Sequence, residues 1–272
     1  MPRILLSFAL VSVLSAATAH AQLVTDYNPP RANCCLPASA AALADQLQDW
    51  NQLGRYYAAN EDLKKQPADP KRVVFMGDSI TDGWNLATAF PGQPYVNRGI
   101  SGQTTPQMLV RMYPDVIVHK PAAIVILAGT NDIARNTGPA TLGQIEQNFM
   151  AITELAQAHG IKVVLCSLTP INDNPTPPLG RGAGAGRAGG APAPPRRKQS
   201  DQRPPADILK LNAWLKEYAA RVNAVYVDYF AAVADADGMF KDGMTNDGLH
   251  PNAGGYELMA PVLTAALKKV LQ

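Results

Sequence analysis

The chain has 272 residues, with 24 Lys and Arg against 22 Asp and Glu, for a formal charge of +2. A balance so near zero gives no reason to expect nucleic acid or an anionic membrane surface as a partner. Hydrophobic residues are 47% and charged ones 17%, which is ample material for the core of one large α/β domain or two small ones.

Residues 1–21 read as an export signal that is cleaved. Arg3 supplies the positive start, ILLSFALVSVLSAA over 4–17 the apolar region, and Ala19-His20-Ala21 a small-x-small cleavage site. The apolar run is short for a membrane span of about 20 residues, and no cysteine follows Ala21 to accept a lipid. No later apolar segment is long enough to cross a bilayer. The expectation is a mature protein that is periplasmic or secreted, with no stable membrane insertion. Cys34 and Cys35 are adjacent and Cys166 lies in an apolar run. Three such cysteines do not form a disulfide framework, and Cys166 reads as a small buried hydrophobe.

Residues 22–70 form a Pro-broken leader and a helical extension. Within it, 37–64 has helical apolar spacing through Leu43, Leu47, Trp50 and Leu53. From residue 71 to 272 the pattern alternates. Strands are expected at 72–76, 94–97, 122–129, 161–168 and 224–228, and helices at 105–120, 141–160, 206–222 and from about 254 to 271. That alternation argues for a parallel sheet covered on both faces.

Between 172 and 205 the composition turns to Gly, Ala, Pro and Arg, with almost nothing to bury. The expectation there is a disordered insertion with no part in any functional site, so that deleting 176–203 leaves activity nearly unchanged. It contains a G-x-G-x-x-G match at Gly184, Gly186 and Gly189. With Pro-rich sequence on both sides, it lacks the strand and helix a dinucleotide site requires.

In an open parallel sheet ligands bind beyond the carboxyl ends of the strands, so the residues following each strand are the candidates. The first strand leads into Gly77-Asp78-Ser79, where Ser79 is either a turn residue or a nucleophile awaiting a base. The second leads into Arg98-Gly99-Ile100-Ser101-Gly102, and Gly102 can expose its backbone N–H to an oxyanion. The third leads into Gly129-Thr130-Asn131-Asp132, and the Asn131 amide carries two donors.

Of four histidines, His20 leaves with the signal, and His119 and His159 sit near predicted helix ends where structural roles suffice. His250 has Asp247 three residues before it in the turn DGLHP. Asp247 there could accept the imidazole N–H and fix its tautomer, or the pair could form an ordinary surface turn.

No G-x-S-x-G elbow surrounds Ser79 and no H-E-x-x-H occurs, so neither an α/β-hydrolase elbow nor a zinc site has a motif behind it. Asp235-Ala-Asp237-Gly238 has its glycine two positions too early for a calcium loop.

Taken together, GDSI, NRGISG, GTND and DGLHP resemble the four blocks of the SGNH, or GDSL, hydrolase family. The GDSITDGW and NRGISGQTT stretches resemble its platelet-activating-factor acetylhydrolase-like branch. The resemblance runs from about 71 to 265, outside the 172–205 insertion. It implies a three-layer α/β/α flavodoxin-like fold with a central parallel sheet, and ester hydrolysis through an acyl-serine with no metal or organic cofactor. By motif position, Ser79 matches the nucleophile, Asp247 and His250 the triad partners, and Ser79, Gly102 and Asn131 the oxyanion hole. Ile80 stands where the family's namesake tetrapeptide has leucine.

These expectations add up to an exported serine esterase acting on short-chain esters, with O-acetylated carbohydrate as the first substrate class. Lysophospholipid or thioester hydrolysis and acyl transfer to a sugar hydroxyl use the same triad. A non-enzymatic alternative is a carbohydrate-binding module on a decayed hydrolase fold.

Overall fold

The computed structural model describes residues 47–175 and 198–272. The signal segment, Cys34, Cys35 and the Gly184–Gly189 match lie outside the described residues. Five parallel strands form one sheet in the order β2-β1-β3-β4-β5: β1 Val73–Gly77, β2 Tyr95–Gly99, β3 Ala123–Leu127, β4 Lys162–Cys166 and β5 Val225–Val227. Every residue of β1 and β3 is buried, as expected of strands covered on both faces. Their side chains therefore divide by parity. Val74, Met76, Ile124, Ile126, Val163 and Leu165 belong to one apolar cluster. Val73, Phe75, Val125, Leu127, Val164 and Cys166 belong to the other.

The longer helices are α1 Tyr57–Lys64, α2 Thr105–Asp115, α3 Leu142–Ala158, α4 Pro205–Arg221 and α5 Ala253–Val270. Met108 and Met112 of α2, Phe149 of α3 and Leu211 and Leu215 of α4 share the first cluster. Met259, Leu263 and Leu267 of α5 share the second. This gives three layers, α/β/α. Local chemistry starts and stops the helices. Gln144 Oε1 accepts the Thr141 N–H while Thr141 Oγ1 accepts the Gln144 N–H, a reciprocal cap on α3. Pro114 sits in the last turn of α2, and Val116, just past its end, is no longer helical at ψ −65 and φ −127.

The helix expected across 37–64 is interrupted in its described part. Gln52 adopts a left-handed φ of 55°, and Asp49 accepts the backbone N–H groups of Leu53 and Gly54. A 3-10 turn, Leu53–Tyr56, then leads into α1. The apolar residues that suggested a packed face, Leu47, Trp50 and Leu53, are exposed at 76%, 44% and 40%. A polar network holds the extension instead. Buried Asn60 of α1 donates to Asp115 and accepts from Arg98 Nε, and Arg111 closes the group on Asp115. Hydrophobic period alone could not reveal an attachment made by amide and guanidinium groups.

The chain leaves β1 toward β2 and returns across β1 to β3, so the strand order reverses beside β1. Gly77 is in register with Gly99 on one side and Leu127 on the other. The carboxyl ends of β1, β2 and β3 therefore lie level, and the loops that follow them share one edge, where such folds hold their ligands.

Candidate active site

Asp78 ends the first strand and caps the single turn Ser79–Asp82, its Oδ1 accepting the Ile80 N–H at 2.9 Å. Two glycines let this turn lie against the sheet edge. A Cβ on Gly77 would stand 2.1 Å from Thr81 Oγ1, and one on Gly99 would stand 2.2 Å from Asp82 N. Ser79 is thus presented at the start of a helical turn, partly exposed, beside a cleft of about 450 Å³ that Asp82, Ser101, His250 and Tyr256 also line. Tyr256 of α5 fixes the turn from the other side, donating to Ile80 O at 2.8 Å.

His250 Nε2 lies 2.8 Å from Ser79 Oγ, and His250 Nδ1 lies 2.6 Å from Asp247 Oδ2. The loop is built around the aspartate. Asp247 Oδ1 accepts the N–H groups of Leu249 and His250, each at 2.9 Å. Gly248 takes a φ of +83° with no room for a Cβ against Asn172 O. Burial pushes the Asp247 carboxyl up, but the ring and backbone N–H groups of His250 and the N–H of Leu249 outweigh it. They hold Asp247 well below the usual carboxylate range. A carboxylate ionised in this way stabilises an imidazolium and orients the neutral ring with Nε2 free to accept.

The second strand-end loop is tied to the serine turn by Asp82, whose Oδ2 accepts the Ser101 N–H at 3.2 Å and its hydroxyl at 2.7 Å. Gly102, the next residue, has a φ of +81° and is exposed. Its carbonyl accepts from Asn136 at 2.9 Å, which ties this loop to the one after β3. Asn131 is buried in the turn Thr130–Ile133 after β3, and its amide donates to Gln103 O at 3.1 Å. Asp132 beside it anchors the start of α2, accepting the Thr105 hydroxyl at 2.6 Å and the Thr105 N–H at 3.1 Å.

The structure thus joins Ser79, His250 and Asp247 in one hydrogen-bonded chain. It also joins the Gly102 and Asn131 loops through Gln103. His119 is buried against Asn60, and His159 bonds Tyr113 on the surface, far from this chemistry in role. Cys166 is fully buried, and burial pushes its thiol up to about 12. Asp235 spends its carboxylate on the N–H groups of Asp237 and Met239, so that stretch is a self-bonded turn.

Arg203 is a residue that sequence reasoning left out of the site. It stands inside the 172–205 segment, whose described ends are ordered. Asn172 donates to Phe240 O, and Ser200 bonds Asp173. Arg203 is 5% exposed and donates from Nη2 to Asn131 Oδ1 at 3.2 Å. Composition averaged over the segment hid it. The available signal was its position directly before Pro204-Pro205, which open α4. Deleting 176–203 would therefore remove a neighbour of Asn131, contrary to the expectation of a segment with no part in the site.

Asp78 carries the least comfortable charge in the site. Its Oδ2 has no hydrogen-bond partner among the described residues. Burial pushes its carboxyl from 3.8 up to about 6, against smaller opposing effects of the Ile80 N–H, His250 and Arg203. The folded protein thus binds this proton more tightly than the unfolded chain. The associated stability is fully present below about pH 4 and lost as pH rises through 6. At neutral pH the ionised group costs about 3 kcal/mol. Asp78→Asn keeps the capping oxygen and removes the charge. It is expected to raise the unfolding free energy by about 2 kcal/mol at pH 7.5 and hardly at all at pH 4, read by urea denaturation. An equal gain at both values would mean that Asp78 does not titrate in this window.

A family model described as GDSL-like Lipase/Acylhydrolase matches residues 75–258. The solved structure of a GDSL-like lipase from Bacteroides thetaiotaomicron is 34% identical, with a TM-score of 0.68 over 81% of this chain and 98% of that one. Esterase TesA of Pseudomonas aeruginosa is 34% identical over 120 residues, 39% of this chain and 58% of that protein. Acetylxylan esterase of Xylanibacter ruminicola is 27% identical over 247 residues, 76% of this chain and 45% of that protein. The chain spans about half the length of the curated relatives it matches.

Proposed function

Because the chain belongs to the GDSL-like lipase/acylhydrolase family, we propose that it is an exported serine esterase that hydrolyses short-chain carboxylic esters, including O-acetyl groups on carbohydrate. The observation that carries this is the continuous chain from Ser79 Oγ through His250 to Asp247, at 2.8 and 2.6 Å.

His250 Nε2 takes the Ser79 proton as Oγ attacks the ester carbonyl. The oxyanion of the tetrahedral intermediate is met by the N–H groups of Ser79 and Gly102 and by the Asn131 amide, each such donor being worth about 3 kcal/mol. Collapse expels the alcohol, which takes its proton from His250, and leaves an acyl-serine. Water, deprotonated by the same imidazole, then attacks the acyl carbon. The acid departs and Ser79 recovers its proton. Binding, orientation and proton transfer in this sequence all come from side chains and backbone of the chain itself.

The short acyl preference rests on the modest cleft at Ser79, and the acetylated-carbohydrate choice on the acetylxylan esterase relative. Export rests on the leader sequence over 1–21. One observation favours a longer substrate. The cleft shares Gly83, Pro251 and Tyr256 with a groove of about 1280 Å³ bordered by Trp84, Ala89 and Ala260. An acyl chain lying there would make the protein a lysophospholipase or thioesterase on the same triad.

Hydrolysis of p-nitrophenyl esters from acetate to palmitate by the mature chain distinguishes these. Turnover greatest at acetate or butyrate is the expected result. A maximum at palmitate would move the substrate to lipids and leave the triad chemistry intact. Absence of turnover at every length would overturn the esterase reading. Acylated sugar formed in place of free acid, when a sugar acceptor is supplied, would make the protein a transferase.

A further inference from the structure

We propose that Arg203 is a positioning residue for ester hydrolysis, setting the orientation of the Asn131 amide so that an N–H remains available to the oxyanion. This rests on the esterase reading above and on the role of Asn131 within it.

A carboxamide is nearly symmetric in shape, and a half-turn of its terminal bond exchanges donor for acceptor. Asn131 is 3% exposed, so water does not decide the matter. Its amide faces Gln103 O, which requires a donor, and Arg203 Nη2, which requires an acceptor. Only one orientation satisfies both. One N–H then goes to Gln103 O and the second is left over. With Arg203 replaced by an apolar side chain, Asn131 Oδ1 would be buried without a partner, and the flipped amide would gain in population. The guanidinium also polarises the amide it bonds, because hydrogen bonds to a charged donor strengthen the donors beyond them.

Arg203 is itself held in register. Its backbone N–H bonds Gln199 O at 2.9 Å, and Nη1 reaches Gln199 Oε1 at 3.3 Å and Gln202 Oε1 at 3.2 Å. Gln199 also donates to Asp247 O at 3.2 Å. The turn Gln199–Asp201 thus braces the oxyanion side of the site through Arg203 and the triad loop through Asp247. Arg203 Nε, like Asp78 Oδ2, has no hydrogen-bond partner among the described residues.

The test is a double-mutant cycle on p-nitrophenyl acetate hydrolysis with Arg203→Met, Asn131→Ala and the pair combined. Asn131→Ala is expected to lower kcat by about 100-fold, and Arg203→Met by about 10-fold or more, with KM within about twofold of wild type. In the Asn131→Ala background, Arg203→Met should cost less than about twofold, because the group it acts through is gone. A purely structural role would give the same fold-loss in both backgrounds and overturns the proposal, as does unchanged kcat in the single variant. Should Arg203→Met not fold, Arg203→Lys is carried through the same cycle. Lysine keeps a cation near Asp78 and Asp247 but loses the guanidinium fork, and the same non-additivity is expected. A wild type that turns over no ester sinks the esterase reading and this one together. Full additivity in an active enzyme sinks only the role of Arg203.

Discussion

Ser79→Ala is expected to lower kcat/KM for a p-nitrophenyl ester by about 10⁶-fold, with His250→Ala costing nearly as much and the double variant little more. The non-additivity follows from the geometry. The Ser79 hydroxyl is a poor nucleophile until a base removes its proton, and His250 Nε2 stands 2.8 Å away to do so. Removing either partner ends the same event, so removing the second has little left to take. The residual rate would come from the oxyanion donors, since Ser79→Ala retains the backbone N–H at that position. Among the described residues Ser79 Oγ hydrogen-bonds His250 alone, so the alanine variant should unfold within a few degrees of wild type. Labelling by a fluorophosphonate is the companion measurement. Wild type should be modified at Ser79, and the alanine variant left unmodified. Full activity in Ser79→Ala would remove the nucleophile from the proposal.

The second large effect belongs to Asp247→Asn, expected to lower kcat by about 10⁴-fold with the loop intact. Asp247 performs two tasks with two oxygens. Oδ1 accepts the Leu249 and His250 N–H groups and shapes the turn, while Oδ2 faces His250 Nδ1. Asparagine can keep its oxygen on the backbone donors, which turns its NH2 toward Nδ1. The imidazole would then carry its proton on Nε2, the nitrogen that must accept from Ser79. The variant should therefore fold normally, keep its KM and lose turnover, as read by steady-state kinetics beside thermal unfolding. A loss of less than about tenfold would reduce Asp247 to a builder of the turn. Because its hydrogen bonds hold Asp247 well below the usual carboxylate range, it remains ionised throughout the pH range of such assays. The comparison with asparagine is therefore one of charge and tautomer at every pH measured.

Much of this architecture could be read before any coordinate. The apolar runs at 72–76, 122–129 and 161–168 became β1, β3 and β4 to within about two residues at each end. Burial on both faces requires uninterrupted apolar sequence, and that property is local. Helix ends were legible for the same reason. Thr141, Gly160 and Pro205 satisfy or terminate backbone bonds within a turn of themselves. Ser79, Gly102 and Asn131 stood out as candidates because each follows an expected strand, and Asp247 and His250 because they share the turn before the last helix.

What lay beyond the sequence was which of these turns would meet. Ser79 and His250 are 171 positions apart, and only the strand order, with its reversal beside β1, brings their loops to a common edge. The helical period over Leu47, Trp50 and Leu53 misled because it records apolar spacing, whereas the extension is secured by Asn60, Arg98 and Asp115. Arg203 was hidden more thoroughly still, within a segment whose average composition promises no order. A buried guanidinium is tolerable only where acceptors and negative charge already wait for it. Asn131, Gln199, Asp78 and Asp247 supply them from four separate stretches of chain. Contiguous residues determine periodicity and turn chemistry. The pairing of charges and donors across the sheet edge is decided by the tertiary fold, because it depends on distances that no local pattern encodes.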